Sequence, residues 1–282
     1  MKLVRFTING KTALGKVVGD SVVDLSSVAG TDSMRTLLTN LPAQRAALEA
    51  ADAPSHALGA VTLEAPITDP QKFLAIGMNY QKHAQEARDL GVPVPDTQLW
   101  FNKQVSCITG PTDPVVYPKV CKALDYEAEL AVVIGKSCRY VSKADARSVI
   151  AGYMVTNDVS ARDWQHRTPT WTLGKSFDTH GPIGPWIVTD DEVADPHALE
   201  LWLTVNGVEK QRTSTGDMVY NIYEQIEYLS QVMTLEPGDI LSTGTPSGIG
   251  AVTGDLLKVG DVVRVVVDGL GEIENKIVTD DL

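Results

Sequence analysis

Tyr126-Glu-Ala-Glu-Leu-Ala-Val-Val-Ile-Gly135 is the stretch on which the reading of the fold turns. Strand alternation places Glu127, Glu129, Ala131 and Val133 on one face and Ala128, Leu130, Val132 and Ile134 on the other. Both carboxylates therefore share a face. Successive same-face positions lie roughly 6.5 to 7 Å apart along a strand, close enough for two Glu side chains to converge on one ion. The rest of that face is apolar, so this end of the strand is expected to be at least partly buried. Two carboxylates about 5 Å apart repel by about 3 kcal/mol at an effective dielectric of about 20, which calls for a cation, a proton or a basic partner. No Lys or Arg lies within the strand.

An isolated Glu-x-Glu reads most simply as a solvated acidic strand end. A second strand, Gly152-Tyr-Met-Val-Thr-Asn-Asp158, ends on another carboxylate and leads into Ser160-Ala-Arg-Asp163, a helix start of capping-box type. Glu127, Glu129 and Asp158 thus form a candidate metal site. An all-oxygen trio selects Mg²⁺, Mn²⁺ or Ca²⁺ over zinc.

Outward from these strands, further strand-like runs are Phe73 to Gly77, Leu201 to Val205, Asp239 to Thr243 and Asp261 to Val267. Helical patterns are confined to Tyr80 to Leu90, Lys143 to Ile150, about Ala161 to His166, and Ile222 to Met233. Strands outnumber helices and do not alternate with them regularly. That predicts an α+β chain with a mixed or antiparallel sheet rather than a doubly wound parallel one. Near the N-terminus, Asn9-Gly10 and Gly19-Asp20 separate three short strands. Asp32 or Ser33 is placed to cap a helix through Met34, Leu37, Leu38 and Leu41, which Pro42 is expected to interrupt before a second helical stretch to Ala51. Ala53 to Pro70, rich in Ala and Pro, reads as a linker. The predicted organisation is a small N-terminal α+β domain over residues 1–65 and a larger domain over 70–282.

With 282 residues, 43% of them hydrophobic, the chain can bury roughly three quarters of its unfolded surface. The longest uninterrupted apolar run, Leu130 to Ile134, falls far short of the roughly 18 residues a membrane span needs. Arg5 breaks any signal-peptide core, so a cytoplasmic location is expected. Cys107, Cys121 and Cys138 are odd in number and form no CxxC pair, which opposes a disulfide framework and a structural zinc site. A net charge of -12 opposes nucleic-acid and anionic-membrane partners, since either needs a basic face. Small anionic substrates stay open, because a metal and one or two lysines can dominate the field inside a pocket. The Gly-rich stretch Thr243 to Gly250 lacks the Gly-Lys-Ser/Thr ending of a P-loop, so a nucleotide site is not expected. Its backbone N–H groups can nevertheless be aimed at a carboxylate.

Five motifs then fall in one order: Gly77-Met-Asn-Tyr-Gln-Lys-His83-Ala-Gln-Glu86, Asp125-Tyr-Glu-Ala-Glu129-Leu-Ala-Val-Val-Ile-Gly-Lys136, Asn157-Asp-Val-Ser-Ala-Arg-Asp163, Trp171-Thr-Leu-Gly-Lys175-Ser-Phe-Asp178 and Ser242-Thr-Gly-Thr-Pro-Ser-Gly248-Ile-Gly250. Over residues 70 to 275 the chain resembles the fumarylacetoacetate hydrolase family. The resemblance implies a mixed β-roll enclosing the active site, a homodimer, and Mg²⁺ or Mn²⁺ on Glu127, Glu129 and Asp158. It further implies a catalytic dyad of His83 and Glu86 on a mobile lid helix, and substrate contacts from Gln165, Lys175 and Thr245. Of the chain's five histidines, His83 alone has a partner motif, a Glu at i+3 on the same helix face. Lys175 sits in a segment that reads as loop, where a lysine is ordinarily a solvated charge.

The expected activity is carbon–carbon hydrolysis of a 2,4-dioxo acid of acylpyruvate type, releasing pyruvate or a related 2-oxo acid. Water activated by His83 with Glu86 would attack the distal carbonyl, while Lys175 and Gln165 orient the substrate. Oxaloacetate decarboxylation, needing no attacking water, is the nearest alternative; isomerisation or decarboxylation of hydroxymuconate-type acids is another. A non-catalytic metabolite binder would need the three acids but no His-Glu pair.

Overall fold

The run from Leu130 to Ile134 lacks polar alternation because its strand is covered on both faces, and every residue of Ala128–Ile134 is buried. The computed structural model describes residues 1–52 and 55–281. In chain order, β1 (Lys2–Ile8), β2 (Lys11–Val18) and β3 (Ser21–Asp24) form a meander followed by α1 (Met34–Ala50). Next come β4 (Phe73–Gly77), α2 (Gln81–Asp89), β5 (Leu99–Lys103), β6 (Ala128–Ile134), β7 (Ile150–Asn157) and β8 (Gly181–Thr189). The chain closes with β9 (Glu200–Val205), β10 (Val208–Ser214), α3 (Ile222–Val232), β11 (Ile240–Ser242), β12 (Val262–Val267) and β13 (Gly271–Thr279).

A twelve-stranded sheet runs through β3, β2, β1, β8, β7, β6, β11, β4 and β5, and a five-stranded sheet through β10, β9, β12 and β13. Pairing is mixed: β6 is antiparallel to β7 and β11, whereas β11 is parallel to β4. One face of β6, through Leu130 and Val132, packs with Leu203, Val265 and Ile273 of the smaller sheet. Its other face, through Ala131 and Val133, packs with Leu3, Leu37 and Leu38 of the N-terminal region. The fold is the α+β arrangement with few helices that the motif order implies.

Four local expectations need correction, the first being the capping box at Ser160: Ser160 lies in a short strand, its hydroxyl donates to the Asp158 carbonyl at 2.8 Å, and the helical turn Arg162–Gln165 has no side-chain cap. Pro42 does not interrupt the first helix: α1 is continuous from Met34 to Ala50 with Pro42 inside it, capped by Ser33, whose side chain accepts from Thr36 N. A mid-helix proline costs about 3 kcal/mol. Burying Leu37, Leu38, Leu41 and Leu48, at about 1.5 to 3 kcal/mol each, outweighs it. Lys143 to Ile150 is not an α-helix; it yields a 3₁₀ turn at Ala146–Val149, and Ile150 already pairs with Ile134. The expected linker, apart from Ala53 and Pro54, which lie outside the described residues, contains strands Ser55–Ala57 and Thr62–Glu64, the latter pairing with β1. On the proposal that residues 1–65 are a unit of their own, their seam with the rest is the pairing of Lys2 and Leu3 with Val188 and Ile187.

β8 escaped detection because Gly181-Pro-Ile-Gly-Pro185 resembles a turn, yet it lies between β1 and β7. The β7–β8 register shifts between Tyr153 and Val155, next to the Gly184–Pro185 step. Such an irregularity lets a central strand carry proline, which cannot donate to the ladder.

The β7–β8 contact is tight at Gly152, where a Cβ would come within 2.1 Å of the Val188 carbonyl oxygen. Gly152→Ala should therefore destabilise the protein by about 1 to 3 kcal/mol or more in a urea titration. Gly59→Ala, with open space around the position, should stay within about 0.5 kcal/mol. Equal midpoints for the two variants would refute this close approach.

Candidate metal centre

The antiparallel register of β6 and β7 sets Ala128 opposite Asn157, so Glu127 and Asp158 meet where the two strands end. Asp158 N donates to the Glu127 carbonyl at 3.0 Å, and Glu127 N donates to Asn157 Oδ1 at 3.0 Å. Glu129 follows two residues into β6 on the same face. Carboxylate oxygens of Glu127, Glu129 and Asp158 all lie within 4.8 Å of one another, and all three residues are buried. The structure thus brings together the three acids singled out in the sequence. Their donor set, oxygen only and convergent, fits a hard divalent cation.

Cations from distant segments surround the trio. Lys175 Nζ bridges Glu127 Oε2 and Asp158 Oδ2, each at 2.7 Å. Lys103 Nζ lies 2.6 Å from the other Asp158 oxygen and also donates to the Lys175 carbonyl. Arg162 reaches Glu127 Oε1 at 2.6 Å and Asp125 Oδ2 at 2.8 Å. Among the described residues Glu129 forms no ion pair; its Oε2 accepts from the Ser242 hydroxyl and from Gly244 N.

This asymmetry sets the proton affinities. Burial alone would raise the Glu127 carboxyl, but Lys175 and Arg162 outweigh it and hold it down at about 2. Burial and the repulsion of Asp158 and Glu127 instead push Glu129 well above the ordinary carboxylate range. Asp125, Glu127, Glu129 and Asp158 face Lys103, Arg162 and Lys175, leaving one negative charge in excess. In the absence of a cation, a proton on Glu129 is what restores balance.

The remaining expected residues gather around this cluster. Lys175 lies in a 3₁₀ turn, Thr172–Lys175, and is 1% exposed, unlike a solvated loop lysine. Gly174 permits this: a Cβ there would lie 2.2 Å from Gln165 N, so only glycine lets the turn press against the helix carrying Gln165. Arg162, which can only donate, occupies Gln165 Oε1 at 2.9 Å, and among the described residues the Gln165 NH₂ has no acceptor. Thr245 is 4% exposed and follows Gly244 in the loop over Glu129.

His83 Nδ1 lies 3.4 Å from Glu86 Oε2 on α2, and His83 is near enough to Glu127 to bear on its carboxyl. Asn79 anchors the start of α2, donating to the carbonyls of Tyr220 at 3.0 Å and Thr243 at 2.8 Å. By contrast, His180 is buried, donates to the Val116 carbonyl at 3.0 Å, and is pushed down to about 3 by burial. It is a neutral packing residue. His166, next to Gln165, is exposed.

Lys103, Arg162 and Asp125 were not anticipated as part of the site. Arg162 and Asp125 do fall inside motifs already quoted. Lys103 ends an ordinary-looking strand, and only the fold brings it to Asp158, 55 residues away.

The family model described as fumarylacetoacetate (FAA) hydrolase C-terminal matches residues 72–278. A Burkholderia lata protein whose provisional name is hydrolase is 43% identical over 277 residues, covering 96% of this chain and 97% of that one. Maleylpyruvate hydrolase from Sphingobium sp. SYK-6, solved with manganese(II) and pyruvate, is 37% identical over the whole of both chains with a TM-score of 0.86. A 5-carboxymethyl-2-hydroxymuconate delta-isomerase from Mycobacterium smegmatis is 34% identical over the whole of both chains, with a TM-score of 0.81.

Removing one member of a buried ion pair leaves its partner uncompensated and typically costs about 3 to 5 kcal/mol. Lys103→Met deprives Asp158 of one of its two ammonium partners while Lys175 remains, and should lower stability by about 1.5 to 3 kcal/mol in metal-free buffer. A loss below about 1 kcal/mol in urea unfolding would contradict the role given to Lys103.

Proposed function

The chain belongs to the fumarylacetoacetate hydrolase family, and from that premise we propose that it hydrolyses a carbon–carbon bond in a 2,4-dioxo acid of acylpyruvate type, releasing a 2-oxo acid such as pyruvate. The observation that carries the reading is the charge imbalance of the buried cluster. One divalent cation together with one monocarboxylate brings the total of the named groups to zero, whereas a neutral ligand does not. The manganese and pyruvate of the Sphingobium structure support the same pairing.

In this proposal Glu127, Glu129 and Asp158 hold Mg²⁺ or Mn²⁺. When bound, such an ion supplies Lewis-acid stabilisation of the negative charge that develops on a 2-oxo acid. Lys175, Gln165 and Thr245 receive the substrate's oxygens. Lys175 is a cation, and the Gln165 NH₂ is a donor because Arg162 occupies its oxygen. His83, held by Glu86, takes a proton from water as that water attacks the distal carbonyl. The oxygen–carbon bond forms, the bond to the neighbouring carbon breaks, and the electron pair leaves as the enolate of the 2-oxo acid. A proton returned to that carbon completes the reaction. We further read the protein as a homodimer on the family resemblance; among the described residues no helix is long and apolar enough to cross a membrane.

A second reading, isomerisation of a hydroxymuconate-type acid, is favoured by the similarity to the Mycobacterium smegmatis isomerase, and oxaloacetate decarboxylation uses the same enolate.

Chelation should abolish activity and Mg²⁺ or Mn²⁺ should restore it; full activity after exhaustive metal removal would sink the metal assignment. His83→Ala should cut kcat on an acylpyruvate by roughly 10² to 10⁴, about 3 to 5 kcal/mol of barrier, with a smaller change in KM. Decarboxylation needs no activated water, so assays of wild type and variant on an acylpyruvate and on oxaloacetate separate the reactions. Unchanged acylpyruvate cleavage by a metal-loaded His83→Ala enzyme would refute the hydrolytic role of His83.

A further inference from the structure

Gln211 on β10 is 1% exposed and belongs to none of the motifs that suggested the family. Its side chain nevertheless joins two parts of the candidate site. Oε1 accepts from Ala128 N at 2.9 Å, between the two glutamates of β6. Nε2 donates to the Pro246 carbonyl at 3.0 Å and to Thr245 Oγ1 at 3.0 Å, on the loop over Glu129.

The orientation of this amide is dictated by its backbone partners. The N–H of Ala128 can only donate, and the carbonyl of Pro246 can only accept. The amide oxygen must face β6 and the NH₂ must face the loop. Thr245 Oγ1 is therefore the acceptor in its bond with Gln211. A threonine hydroxyl has a single hydrogen, and no acceptor for it lies within hydrogen-bond reach among the described residues. That hydrogen is left for a ligand. Gly244, immediately before Thr245, donates its N–H to Glu129 at 2.7 Å, so the hydroxyl belongs to the loop that borders the acids.

We infer that Gln211 is a positioning residue that, by donating to Thr245 Oγ1, turns the Thr245 hydroxyl hydrogen outward for donation to a carboxylate-bearing ligand. The inference rests on the reading of this cluster as a 2-oxo acid site. It also gives Thr245 the same polarity as Gln165, whose oxygen is occupied by Arg162. Both groups then offer a hydrogen to a ligand's lone pairs, which a carboxylate presents on both of its oxygens and an amide on only one of its two polar atoms.

The test is a double-mutant cycle on the Mn²⁺-loaded enzyme, with pyruvate as the probe and its dissociation constant measured by calorimetry. With Gln211 intact, Thr245→Val should weaken pyruvate binding by about ten- to hundredfold, the range for a hydrogen bond to a charged group. Thr245→Ser should restore it. In a Gln211→Leu background the same Thr245→Val change should cost much less, because the hydroxyl is no longer oriented. Mn²⁺ affinity should vary by less than about twofold across the set, since none of these side chains is a proposed ligand. If Thr245→Val has no effect with Gln211 intact, Thr245 makes no ligand contact and the substrate role assigned to it fails as well. If the hydroxyl matters equally in both backgrounds, the substrate contact stands and the role of Gln211 is overturned. Neutron diffraction from wild-type crystals provides a measurement independent of variant folding. The Thr245 hydroxyl hydrogen should point away from Gln211, and a hydrogen directed at Gln211 would overturn the inference.

Discussion

Mutual repulsion among buried carboxylates is the constraint around which this interior is arranged. Oxygens within 4.8 Å repel by roughly 3 to 4 kcal/mol per charged pair at an effective dielectric of about 20. The β6–β7 register makes that proximity unavoidable, since the two strands end together on Glu127 and Asp158. What the rest of the chain supplies is compensation: Lys103 from the end of β5, Arg162 from the turn after β7, and Lys175 from a 3₁₀ turn that only Gly174 allows so close to Gln165. The compensation stops one charge short, at Glu129. A protein built only for stability would gain nothing from such a deficit, because apolar residues of similar volume would fill the space at lower cost. The deficit is intelligible as a place for a cation and an anion to enter together.

The sheet gives the cluster its rigidity, and the polar groups around it give it a direction. β6 is covered on both faces, so Glu129 has no freedom to turn toward solvent. Arg162 and Gln211 stand behind Gln165 and Thr245, each donating to a side-chain oxygen, and on the proposed reading the remaining hydrogens serve the ligand. His83 and Glu86 come from a different kind of element, the short helix α2, held at its start by Asn79 while Leu90 and Gly91 beyond its end are exposed. Ala84 and Ala87 bury one face of that helix, which leaves His83 and Glu86 partly exposed.

Much of this was legible in the sequence wherever one local pattern decides the outcome. Phe73–Gly77 was bounded correctly, the alternation through Glu127 and Glu129 is real, and the capped helix at Ile222 begins as expected, with Asn221 closing a capping box on Glu224. The failures share a cause, which is tertiary context overriding a local signal. Pro42 is tolerated because the leucines around it are buried; Pro182 and Pro185 are tolerated beside an irregular ladder; Lys143 to Ile150 has helical spacing, but Ile150 pairs with Ile134. Lys175 read as an ordinary loop charge without the family motif, and Lys103 and Gln211 carried no local signal. Their chemistry comes only from the partners that the fold supplies.

The central claim is that one divalent cation belongs among Glu127, Glu129 and Asp158 and resolves the buried charge deficit. Anomalous diffraction at the manganese edge, from crystals grown with Mn²⁺ and pyruvate, tests it most directly. The expected result is one strong peak per chain among these three carboxylates, with pyruvate density beside it. No peak there, or full manganese occupancy at another cluster, would contradict the claim.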